Sequence, residues 1–425
     1  MSQLVIDNVR VIDGTGAAPI TDARIVVSDD RIVAVGPAAQ TPAPAGAERI
    51  DGHGGTVVPG LIDVHVHDPS PANMALYVKN GVTAIRFLGG RQRDLLALRD
   101  RIERGEIPGP RVFSVGPGVD ATPHAWPGSA AADSPIEARR LVRRLVREEK
   151  VDAILATHRV TRPILAAIVE TAHEEGVPVT GQIWSADARD AAAVGMDGLD
   201  NTSRIPESAK HPERTLFEHR SVSERIALLA RLWNDADPSA LDETLHQLAE
   251  RAVFIAPELV SFEAWAGLSW DAVKADEDFP KDPSDPGRQM YERHNAYISK
   301  DWSPQDVADQ KRAIAHYAEF CIRYAELGGP VVAGTDLGFG GILLHRELEL
   351  FAKAGLSNLR VIRTATRQAA SALGRSELGF ISAGALADLV IVDGDPTTDL
   401  GALRRVKRTL VGGRAVYERA AAAVR

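Results

Sequence analysis

Eight short apolar runs, most followed by a stretch of helical spacing, constrain this chain more than any other feature. They fall at 57–67, 82–87, 111–115, 153–156, 178–181, 198–200, 253–256 and 331–334. Helix-like segments follow at 95–104, 135–149, 163–175 and 186–194, the second opened by a capping Ser134 before Pro135. Repeated β-then-α units predict an α/β fold, a (β/α)8 TIM-like barrel whose functional residues sit at the C-terminal ends of the strands. Both termini instead carry Val- and Ile-rich β segments punctuated by turn residues such as Asp29-Asp30, Gly36-Pro37 and Gly412-Gly413. The expected organisation is a small composite β-sandwich from 1–58 and 380–425 around a barrel at 59–379. With 425 residues there is chain enough for both.

Charge narrows the partners. The net charge is -9 and the pI near 5.8, against the basic surface that nucleic-acid binding needs. The run Arg139-Arg140-Leu141-Val142-Arg143-Arg144 reads as one face of an amphipathic helix. No stretch has the roughly 18 apolar residues of a membrane span. The N-terminus lacks the pattern of a signal peptide, and the single cysteine, Cys321, fits a reducing compartment. A cytoplasmic protein with a small-molecule substrate is expected, no nucleic-acid or membrane partner, and self-association left open. Between strands seven and eight, about 269–302, a polar stretch broken by Pro280, Pro283 and Pro286 reads as a lid-like insertion. Its Arg288, Tyr291, Arg293, His294 and Tyr297 are within plausible reach of a substrate.

The first run ends in His65-Val66-His67. Residues two apart on a strand face the same way, so the two imidazoles can serve one metal ion. The eighth ends in Gly334-Thr335-Asp336, a carboxylate at a strand end. With Gly109-Pro110-Arg111-Val112-Phe113, Leu344-His345-Arg346-Glu347-Leu348 and Ala385-Leu386-Ala387-Asp388-Leu389, these motifs span the chain in order. Together they resemble the metal-dependent amidohydrolases of the imidazolonepropionase and prolidase-like branch.

The resemblance implies that His65, His67 and Asp336 bind a divalent ion. Related proteins add a bridging lysine after strand four and histidines after strands five and six. Those positions fall at Leu155, Gln182 and Asn201 here, so a degenerate, mononuclear site is expected. Zn is the first choice, with Mn, Fe or no metal as alternatives. A three-ligand site with water in the remaining position is enough for catalytic zinc. Asp336 can bind the ion, act as general base, or share both tasks.

His124 and His158 are further candidates for acid–base work at the barrel mouth. Gln182, Asn201, Trp126, Trp184 and His345 are candidates for lining the pocket, and Arg159 and Arg204 for holding a carboxylate. Two readings of the chemistry follow. One is a hydrolase that cleaves an amide-type C–N bond with metal-activated water. The other is a metal-free derivative of the fold that performs acid–base isomerisation, elimination or cyclisation, or that binds without turnover.

Overall fold

A computed structural model describes residues 3–201, 205–208, 221–268 and 270–420. The N-terminal part contains β1 (Gln3–Val11), β2 (Ile20–Ser28), β3 (Arg31–Pro37), β4 (Glu48–Asp51) and β5 (Thr56–Pro59). The middle contains β6 (Leu61–Val66), β7 (Val82–Phe87), β8 (Arg111–Ser114), β9 (Val119–Asp120), β10 (Ala130–Ala131), β11 (Ile154–His158), β12 (Val179–Ile183), β13 (Gly198–Asp200) and β14 (Phe254–Ala256). Near the C-terminus lie β15 (Leu389–Val392), β16 (Val406–Val411) and β17 (Arg414–Glu418).

Strands from the two ends share one sheet, in the order β17-β16-β15-β5-β1-β2-β3, with β4 on β1. The strands of the expected composite β unit join in one eight-stranded sheet among the described residues. One face packs Ile6, Ile25, Val57, Leu389, Ile391 and Leu410 into a small core of its own. The other turns Val58, Val390, Val392 and Val406 into the main core. Burial on both faces explains why β15, Leu-Val-Ile-Val, is apolar throughout instead of alternating.

The middle strands form two parallel sheets, β6-β7-β8 and β10-β9-β11-β12-β13-β14. Hydrogen bonds join them at two seams. Asp152 N–H donates to Ser114 O at 2.8 Å beside β8. At the other seam, Val332 N–H donates to Ile255 O at 2.9 Å and Val64 N–H to Ala333 O at 3.2 Å. The run at 331–334, read as an eighth strand, makes only one isolated bridge, between Ile255 and Val331. It begins at Pro330, which has no N–H to extend a ladder, and ends where Asp336 turns left-handed at φ 56°. All six residues of β6 are buried, as a strand covered on both sides requires.

Ser134 caps the helix Pro135–Arg147 by accepting from Glu137 N–H, as its sequence predicts. Ala138, Leu141, Val142 and Leu145 bury one side of that helix. Its arginines are not simply solvated: Arg139, Arg143 and Arg147 pair with Glu170, Glu174 and Glu175 at the neighbouring helix Arg162–Glu174. The insertion is largely helical, with Trp270–Ala275 and Pro286–Ser299, the latter capped by Asp285. Residue 269 lies outside the described residues. Cys321 is buried and reduced, and no described helix is long and apolar enough to cross a membrane.

Candidate metal centre

His65 and His67 leave β6 on the same side, as their spacing predicts. His65 Nε2 lies 3.1 Å from His67 Nε2 and 3.0 Å from Asp336 Oδ1. His67 Nε2 lies 2.9 Å from the same carboxylate oxygen. Asp336 is brought to them because its backbone N–H donates to His65 O at 2.9 Å. Gly334 permits that approach, since a Cβ there would stand 3.1 Å from the His65 Cβ. Thr335 secures the turn from below, donating its hydroxyl to Asp63 Oδ2 at 2.9 Å.

A fourth residue, absent from the sequence reading, completes the cluster. Glu258 Oε1 lies 2.6 Å from His65 Nδ1, and both side chains are fully buried. Its other oxygen accepts from Asn201 N–H at 3.0 Å. Burial pushes His65 down, but Glu258 and Asp336 outweigh it and raise the imidazole well above its usual range. Nδ1–H donates to Glu258, and Nε2 points to His67 and Asp336, where an ion would take the place of its proton. Burial raises the Glu258 carboxyl to about 8 against the opposing pull of His65. Burial also pushes Asp336 up, yet the charge and hydrogen bonds of His65 and His67 hold it well below the usual carboxylate range. Asn201, Glu258 and Asp336 all adopt φ between 53° and 56°, uncommon for residues with a side chain. Strained backbone of this kind gathers at functional sites. The available signal for Glu258 was a carboxylate two residues past strand seven, in Phe254-Ile255-Ala256-Pro257-Glu258.

These residues open onto a cavity of about 590 Å³. Leu155, Gln182 and Asn201, the positions to which the resemblance assigns further ligands, all line it, as do Trp126, His158 and Trp184. Thr157 stands opposite Gln182 in the strand register. From the insertion, Met290, Tyr291, His294 and Ile298 line it too, whereas Tyr297 is exposed. Arg288 pairs with Glu292, and Arg293 bonds Gln289.

His158 is buried and accepts from Trp126 Nε1–H at 3.3 Å. Burial, then the cations Arg225 and Arg159, lower it to about 3, so it is neutral at ordinary pH and poorly suited to donate a full proton. Three expectations are corrected. His124 is exposed in its loop and does not line the cavity. His345 is buried away from it, bonded to Asn80 O at 3.1 Å and lowered to about 3 by burial and Arg404. Arg159 is not a lining residue; its backbone N–H is held by Asp120 at 2.7 Å. Arg204 lies outside the described residues.

Comparison with known proteins agrees with this picture. The model of the amidohydrolase family matches residues 289–416. A stretch of 62 residues is 42% identical to an imidazolonepropionase from Idiomarina loihiensis. Another of 68 residues is 41% identical to a 5-methylthioadenosine/S-adenosylhomocysteine deaminase from Symbiobacterium thermophilum. These matches span only 15% and 16% of the two relatives. Solved structures match throughout. A Xaa-Pro dipeptidase superposes with TM-score 0.71 at 20% identity, over 98% of this chain and 100% of its own. Molinate hydrolase gives 0.67 at 17%, over 100% and 99%. Residues 289–416 thus carry the amidohydrolase family pattern, and the whole chain shares the fold of these solved structures. A prolidase complexed with N-methylphosphonate-L-proline gives TM-score 0.71 at 21% identity, over 98% of this chain and 100% of its own.

The residues present fit the divalent ion that the family resemblance implies. Two imidazole nitrogens and a carboxylate oxygen lie 2.9 to 3.1 Å from one another. Ligands at about 2.0 Å from a tetrahedral ion stand roughly 3.3 Å apart, so small adjustments suffice. His65, Asp200 and Glu258 also lie close together. Asp200, however, is engaged by Arg86 at 2.7 Å and by Thr180 at 2.5 Å, and Glu258 by His65.

Proposed function

We propose that this protein is a mononuclear metal-dependent hydrolase of an amide-type C–N bond in a small molecule, working on a (β/α)8-type barrel. The observation that carries the reading is the convergence of His65 Nε2, His67 Nε2 and Asp336 Oδ1 on one cavity, with His65 fixed from behind by Glu258. A divalent ion held there, Zn in the first instance, supplies Lewis acidity toward a carbonyl and an acidified water. Leucine at position 155 offers no ligand, and amide oxygens at Gln182 and Asn201 bind zinc weakly, which favours one ion over two.

The side chains divide the remaining work. Glu258 holds His65 in one tautomer and ring orientation. Asp336 uses Oδ1 toward the two imidazoles, which leaves Oδ2 to take a proton from attacking water and return it to the leaving nitrogen. Asn201 Oδ1 has no hydrogen-bond partner within the described structure, and with Gln182 it can orient the amide. The apolar walls exclude water from the reaction.

The test is metal content per chain by elemental mass spectrometry, on protein purified without a histidine tag. We expect about one ion per chain, lost in a His65→Ala/His67→Ala control together with all turnover of amide and lactam substrates. Near-zero metal in both proteins, even after loading, would sink this mechanism and favour metal-free acid–base chemistry.

A further inference from the structure

Among the described residues, the cavity carries a positive charge without an anionic partner away from its ligand cluster. Arg225, on the helix Val222–Asp235, lines it and is only 7% exposed. Its guanidinium carbon lies 4.4 Å from the ring centre of Trp184, which in turn packs edge-on against His158 at 3.7 Å. Its Nε is buried with no hydrogen-bond partner, and no ion pair reaches the group among the described residues. The nearby acids are occupied. Asp120 accepts from the backbone N–H groups of Ala121, Ala125 and Arg159. Glu224 accepts from Ser221 at the helix cap.

The charged lining as a whole is lopsided. Arg91 and Arg225 border the cavity, and the one lining carboxylate among the described residues, Asp336, is bonded to His65 and His67. Most of the remaining lining is apolar or aromatic, with Trp126, Phe262, Trp265 and Leu229 among it. A buried arginine without an anion is costly, and stacking on one indole offsets only part of that cost. A ligand anion would offset the rest, and a guanidinium presents two parallel N–H donors to a carboxylate.

We infer that Arg225, stacked on Trp184, is an anion subsite, so that the substrate carries a carboxylate beside a flat, apolar portion. Arg225 takes a role of the kind that the sequence suggested for Arg159 and for Arg204, the latter outside the described residues. The inference deepens the hydrolase reading for what is cleaved, but the binding it describes does not depend on turnover.

The experiment is a tryptophan-fluorescence titration with three aryl carboxylates, hippurate, indole-3-acetate and N-acetylphenylalanine, each beside its primary amide. Wild type, Arg225→Met and Arg225→Lys are compared, both metal-stripped and metal-loaded. In stripped wild type we expect at least one acid to bind about tenfold or more tightly than its amide. That preference should vanish in Arg225→Met and persist in weakened form in Arg225→Lys, whose point charge lacks the planar fork. Equal binding of acids and amides across the panel, or a preference that survives Arg225→Met, overturns the inference. If Arg225→Met shows no cooperative thermal transition, Arg225→Lys decides: a reduced preference supports the subsite and an unchanged one overturns it. Use of stripped protein excludes a carboxylate bound by metal. A retained preference in a protein that neither holds metal nor hydrolyses amides would sink the hydrolase reading and leave the subsite standing.

Discussion

The two halves of the cavity floor obey different physics. On one side, His65, His67, Asp336 and Glu258 form a chain of charge-assisted hydrogen bonds of 2.6 to 3.0 Å, two members of it on left-handed backbone. On the other, the positions expected to hold ligands carry Leu155, Gln182 and Asn201. Leu155 packs with Leu88, Val115 and Ala153 in a small apolar cluster. The first side spends its polar atoms on one another, whereas on the second Asn201 Oδ1 has no hydrogen-bond partner among the described residues. The cluster of His65, His67 and Asp336 is coherent without donors at those three positions because Glu258 supports it. The halves meet at one hydrogen bond, from Asn201 N–H to Glu258 Oε2.

If that division is real, substitutions on the two sides should fail differently. Removal of His65 and His67 has the largest effect, loss of the ion itself. Glu258→Gln should come next. It keeps an acceptor for His65 but weakens the short hydrogen bond that orients and supports the imidazole, so metal affinity should fall about 10- to 100-fold. Competition against a calibrated chelator measures this, and unchanged affinity would break the comparison by making Glu258 mere packing. On the other side, Leu155→Ala should cost about 2–3 kcal/mol in urea unfolding through lost apolar contacts, with metal content unchanged. A change in metal affinity there would show that the second side also shapes the centre.

The fold was legible because it rests on repeated patterns. Strand β6 and the helix Pro135–Arg147 announce themselves through apolar run, cap and period. His65 and His67 were legible because a period of two fixes their faces whatever the rest of the molecule does. Glu258 was not, because its role depends on a left-handed turn that carries it 193 residues along the chain to meet His65. Arg225 was hidden for the same reason: on its helix it reads as one more surface cation, and only the tertiary fold puts Trp184 beneath it. His124 misled in the opposite direction. A histidine in a strand-end loop looks poised for a pocket, yet the local path of 120–126 leaves it exposed. His345 misled because helix packing, with a bond to Asn80 O, turned it inward and away.

Of the differences expected between the halves, the smallest concerns a histidine. His65, between two carboxylates, is raised, while His158, buried near Arg225 and Arg159, is lowered from 6.5 to about 3. A histidine that stays neutral when folded but protonates when unfolded favours the unfolded chain in acid. Its contribution is intact above about 6.5 and is lost as pH falls toward 3. His158→Gln keeps an acceptor for Trp126 and removes the titration, so at pH 7 stability should change by no more than about 1 kcal/mol. Between pH 6 and 4 the variant should lose stability less steeply than wild type, measured by urea midpoints across that range. Any acid limb in the activity profile should stay where it is, because a group that remains neutral to about 3 cannot produce one at higher pH. A limb that moved with His158→Gln would place acid–base chemistry on the second side and erase the distinction between the two halves.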